Sequence, residues 1–178
     1  PPRIVDAMEG FCLDNGSPTV GHRLLLLEPV QQQIGIGTAP PPPTGGWGAN
    51  VVQIYSLPKL PKDYVRKEFD WDFVSYPSAG YFPLLSSLFG TPSLWTIKLN
   101  TAKYEIDTNA VKVVVTRLKD KQTWNFNWKN GHTGASNVFQ LENNTVKPGD
   151  VFKVELKGLK DKSGNPVDFA FQTEFFAP

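Results

Sequence analysis

Two periodicities divide the chain. At the front, Ile4, Val5, Met8 and Phe11 or Cys12 recur at helical spacing, which predicts an amphipathic helix over the first dozen residues. A second helical stretch follows. Ser17, Pro18 and Thr19 offer helix-start chemistry, Leu24, Leu25, Leu26 and Leu27 give a short apolar run, and Pro29 ends it because Glu28 before it is driven out of the helical region. Ile34 and Ile36 then alternate with Gly35 and Gly37, a strand with one apolar face and one bare face on which something is expected to pack closely. From Trp71 onward the period is two. Trp95, Ile97 and Leu99 share one face, Val111, Val113 and Val115 another, Phe152, Val154 and Leu156 a third, and Phe169, Phe171, Thr173 and Phe175 a fourth. Turn chemistry falls between them, at Asp120, at Asn130-Gly131, at Pro148-Gly149-Asp150 and at Ser163-Gly164-Asn165-Pro166. Seven or so strands in about a hundred residues predict a two-sheet sandwich of the immunoglobulin type rather than a barrel.

The segments between these patterns set the expected boundaries. Residues 39–48 are a stiff polyproline turn followed by glycines, with Trp47 at the tip, and read as a surface loop between two strands. Residues 57–70 carry two prolines and most of a local basic cluster and read as a linker. The expected organisation is therefore residues 1–56, a linker over 57–70, and an all-β domain over 71–178.

Composition narrows the partners. With 18 basic and 17 acidic residues and no basic block, the chain offers nothing that would hold nucleic acid. No apolar run approaches the length of a membrane span, and the first residues lack the regions of a signal peptide, as a secreted chain would after processing. Cys12 is the only cysteine, so it is either a small buried thiol or one end of an interchain disulfide. Asn143-Asn144-Thr145 and Asn15-Gly16-Ser17 fit the glycosylation pattern, the second disfavoured by Pro18, and both permit an extracellular home.

Candidate chemistry centres on His22. It shares a helix face with Leu25 and Leu26, which puts the imidazole at the edge of the apolar surface. A hydrolytic triad has no support. Asp14 and Ser17 lie near His22 in sequence, but no nucleophile elbow is present, and the other histidine, His132, sits in a glycine-flanked turn. Cys12, Asp14 and His22 are too few to bind a metal without ligands from elsewhere. In the later half, Trp124, Phe126 and Trp128 line one face of a strand, with Thr123, Asn125 and Asn127 opposite. The aromatic face is expected in the sandwich core, which leaves the Asn face for carbohydrate or for lateral packing.

Gly21-His22-Arg23, the aliphatic run, the proline and Ile34-Gly35-Ile36-Gly37, with Gly35 thirteen positions after His22, resemble the second half of a CAP domain. This is the fold of the cysteine-rich secretory, antigen 5 and pathogenesis-related proteins, and the bacterial-type SCP branch is the closer likeness. The likeness runs from Pro2 to about Ser56, with residues 49–55 as a closing core strand. Residues 76–83, Tyr-Pro-Ser-Ala-Gly-Tyr-Phe-Pro, are similar to the segment that trails such domains, and residues 146–150 and 158–166 resemble bacterial immunoglobulin-like modules. The resemblance implies an α+β protein, a partial CAP-like α/β/α sandwich followed by an immunoglobulin-like sandwich. It also implies a ligand cleft at His22 and Arg23, with His22 as one member of a tetrad of two histidines and two acids. Glu9, the only upstream glutamate, stands outside the family's motif, so a missing N-terminal half or a second polypeptide is expected to complete the cleft and with it any divalent cation held by His22.

The function expected on these grounds is secreted, non-catalytic binding or assembly, with a carbohydrate or protein ligand and an adhesive or spacer β domain. The alternatives are a metal-assisted hydrolase completed by the missing half, and a homo-oligomeric subunit of an extracellular fibre.

Overall fold

A computed structural model of the chain describes residues 4–14, 17–29, 31, 34–46, 48–54, 70–84, 94–129, 136–141 and 146–177. Two helices come first, α1 (Ile4–Leu13) and α2 (Gly21–Leu26), followed by a hairpin of β1 (Ile34–Ala39) and β2 (Ala49–Ile54). The remaining elements are strands: β3 (Phe73–Tyr76), β4 (Gly80–Pro83), β5 (Trp95–Leu99), β6 (Tyr104–Glu105), β7 (Lys112–Arg117), β8 (Thr123–Asn127), β9 (Ser136–Phe139), β10 (Val151–Asp161) and β11 (Pro166–Phe176).

The alternation seen in the sequence builds two sheets over one core. The larger runs β4-β11-β10-β7-β8, with β6 joined to β10, and the smaller runs β3-β5-β9. Val113, Val115, Phe152, Val154 and Leu156 of the larger sheet are buried with Trp95, Ile97 and Leu99 of the smaller, so the period-two faces meet as expected. Trp128 joins this core, and Trp124 and Phe126 pack against it. One pairing departs from a simple antiparallel sandwich, since β4 runs parallel to β11. The long hairpin of β10 and β11 turns at Gly164, whose φ of +84° suits glycine. Gly158 makes the bulge in β10, where the register shifts between Leu156 and Leu159; its φ is +77° and a Cβ there would lie 2.5 Å from the Ala110 carbonyl oxygen.

The small sheet carries a second layer on its outer face. Tyr76, Thr96 and Val138 are aligned across β3, β5 and β9 on the side away from the core. Arg23 of α2 stacks on Tyr76, and Glu28 beyond α2 pairs with Lys98 of β5. Thr96 is therefore buried along with its core-facing neighbours.

The expected α/β/α sandwich in residues 1–56 is not what the chain forms. Among the described residues strand accounts for 48% and helix for 11%, and the helices are short, 10 and 6 residues. β1 and β2 pair only with each other among the described residues. An α/β/α layer needs a sheet covered on both faces, whereas Ile34, Ile36 and Val51 are 46%, 51% and 59% exposed. The expected close packing on the bare strand face fails at Gly37 too, where a Cβ would have no atom within 4 Å. The proline-rich connection between β1 and β2 lies on the surface as expected. Of the expected linker only Asp70 lies among the described residues.

Candidate functional site

Asp14 organises the helical layer. It follows α1 in a left-handed conformation, φ 46°, and is 6% exposed. Its Oδ2 accepts the backbone N–H of His22 at 2.9 Å and of Arg23 at 3.4 Å. These are first-turn amides of α2, which have no partner inside the helix, so a carboxylate eight residues upstream caps it. Val20, next to the helix, is left-handed and gives no side-chain cap, and the hydroxyls of Ser17 and Thr19 bond each other at 3.2 Å instead.

The same carboxylate orients His22. Oδ1 lies 2.9 Å from Nδ1, so the neutral ring carries its proton there and keeps its lone pair on Nε2. The imidazole is 63% exposed and rests on Phe11 at 5.2 Å between centroids. Beside it Leu25, Leu26 and Val52 wall a recess of about 90 Å³.

Arg23, its neighbour in sequence, points the other way and is 0% exposed. Its guanidinium donates to the carbonyl oxygens of Cys12, Leu13 and Leu94 and lies 4.1 Å from the centre of the Tyr76 ring. Burial pushes its pKa down, against the opposing pull of Tyr76, Asp14 and Cys12. Tyr76 is in turn pushed up to about 12, chiefly by burial. The two stretches that carry the family resemblance, Gly21-His22-Arg23 and the one that begins at Tyr76, thus meet in space through a cation stacked on a phenol. The Cys12 thiol is free and half-buried, and burial raises its pKa while Arg23 lowers it.

Among the described residues no three His, Cys, Asp or Glu side chains gather as a metal site. His22 with Asp14 supplies one imidazole and its orienting carboxylate. Asn15, Asn143, His132 and Trp47 lie outside the described residues. No described helix is long and apolar enough to cross a membrane.

A larger cleft lies elsewhere. β8 ends the large sheet and β9 ends the small one, and their edges come together where Phe126 and Phe139 stand 4.7 Å apart. A cleft of about 730 Å³ opens over this pair, within the range of about 300–1,000 Å³ for small-ligand sites. Asn125 and Asn127 form its β8 rim and Gln140 its β9 rim, Lys129 lies in its wall, and Ser17 and Pro18 reach it from the helical layer.

Comparison with protein-family models, with curated proteins and with solved structures finds no match. The resemblance to the CAP proteins therefore rests on the quoted residues alone.

The sequence singled out His22, Arg23 and the Asn face of β8. It gave no sign of Asp14 as a cap, because the usual signature places the capping residue next to the helix. Nor did it join Gln140 and Lys129 to Asn125, since the meeting of two sheet edges leaves no mark in a local pattern.

Proposed function

We propose that this chain is a secreted, non-catalytic binding protein whose ligand surface is the cleft at the β8–β9 edge. One observation carries this reading: the described lining of the cleft sets the amides of Asn125, Asn127 and Gln140 and the ammonium of Lys129 beside the rings of Phe126 and Phe139. A few convergent polar groups over an apolar surface suit recognition of a ligand. The polar groups of the helical layer have structural work instead, Asp14 as a cap and Arg23 as a staple. The test sets binding against turnover. The chain is expected to bind immobilised extracellular polysaccharide or protein saturably and to lose that binding when Gln140→Trp fills the cleft. It is expected to leave chromogenic ester, peptide and glycoside substrates intact, with or without added zinc. Hydrolysis abolished by His22→Ala would overturn the reading.

A second reading, a metal-assisted hydrolase completed by another polypeptide, is favoured by one feature: Asp14 orients the His22 ring as outer carboxylates orient metal-ligating histidines. One imidazole does not make a site, and no step follows from it. Zinc titration watched at the His22 ring resonances, with and without a co-purified partner, decides it.

A further inference from the structure

We infer that the β8–β9 cleft is a subsite for a short oligosaccharide, an inference that rests on the binding reading above and names its ligand class. Sugar rings present hydroxyls that both donate and accept, arranged around an apolar C–H face. Asn125 and Asn127 are exposed on one face of β8, two residues and so about 7 Å apart along the strand. With Gln140 across the cleft, they offer primary amides that donate and accept at once. Half-buried Phe126, with buried Phe139 beneath it, supplies the aromatic part of the lining. A purely apolar ligand would strand these amides without partners, which disfavours a lipid.

Charge narrows the class. Lys129 is the only charged residue in the described lining, so a neutral or acidic sugar fits and a basic ligand does not.

The experiment is a two-dimensional amide NMR titration of the full chain with chitotriose, a neutral probe, and with a hyaluronan tetrasaccharide, an acidic one, each carried to millimolar concentration. Saturable shifts are expected at Asn125, Asn127, Lys129 and Gln140, including the side-chain amides, with at least one probe. The N125A/N127A double variant, both positions being exposed, is expected to keep its fold and bind about tenfold more weakly, and Lys129→Ala to weaken the acidic probe selectively. No shift in the cleft with either sugar, or equal affinity in the double variant, overturns the inference. If an extended peptide moves the cleft resonances where the sugars do not, the sugar class falls and the binding reading stands. If neither moves them and Gln140→Trp leaves extracellular binding intact, both fall.

Discussion

In the two-sheet body, Val113, Val115, Phe152, Val154 and Leu156 are all 0% exposed and surrounded by other apolar side chains, whereas among the described residues of the helical layer the buried apolar side chains are Leu13, Val20 and Leu24, around a guanidinium. Apolar burial is non-directional and tolerates small shifts. A buried Arg23 does not, because the carbonyls of Cys12, Leu13 and Leu94 lose their donor together if it moves. The first region is held by area, the second by geometry. The two should therefore fail differently.

The largest effect is expected at the centre of the first region. Phe152 meets Trp95, Trp124 and Phe175 with centroids 5.6, 6.3 and 5.8 Å away. Phe152→Ala should cost about 3–5 kcal/mol and lower the thermal midpoint of the whole sandwich. A loss below about 1 kcal/mol would mean that the core is not the cooperative unit described here.

Arg23→Met keeps the volume and removes the donors, leaving buried carbonyls at about 1–3 kcal/mol each until the layer opens to water. The expected result is local. Amide hydrogen exchange should quicken in α1 and α2 while β10 and β11 keep their protection. Equal acceleration throughout would erase the distinction between the regions, and Arg23→Lys, with a compact ammonium in place of the fork, should fall between.

The same distinction explains what could be read from the chain. The sandwich was legible because alternation such as Val111, Val113, Val115 is a local signal of burial, and the turn at Ser163-Gly164 fell where glycine was needed. The aromatic face of β8 went to the core and the Asn face to the surface as the pattern required. The parallel pairing of β4 with β11 was not legible, since partner choice across many residues leaves no period. In the first region the helices and strands were legible, but the layer they enter was not. Ile34 and Ile36 mark a strand whether or not anything covers it, so their alternation could not distinguish an α/β/α sheet from an isolated hairpin. His22 and Arg23, adjacent in sequence, face solvent and interior respectively, a split decided by Asp14 and Tyr76 rather than by neighbours.

A pH titration probes the junction more gently. Tyr76 and Tyr104 are both pushed up to about 12 with burial as the first cause. An elevated folded pKa means that the native state holds the proton more tightly, so the associated stability is complete below the ordinary tyrosine value near pH 10 and is lost as pH rises through about 12. Tyrosinate absorbance should show a late component that loses amplitude in Tyr76→Phe. If Tyr76 ionises near the ordinary tyrosine value of about pH 10, the ring is not packed under Arg23 as described.

The smallest effect separates buried polar contacts from exposed ones of similar kind. Lys103 bridges Asp70 and Asp72, and the Tyr104 hydroxyl donates to Asp72 at 2.5 Å, a network as dense as that of Arg23. Yet the Asp72 side chain is 47% exposed, and water competes for every contact. Tyr104 first, then Lys103, holds the Asp72 carboxyl below its usual range. Its contribution is therefore present above the ordinary aspartate value near pH 4 and is lost as pH falls through the lower folded one. Screening makes it small. Asp72→Asn should move the thermal midpoint by no more than about 2 °C at neutral pH, with the difference shrinking in high salt. A shift as large as that of Arg23→Met would show that the number of polar contacts, rather than their removal from water, sets their worth in this fold.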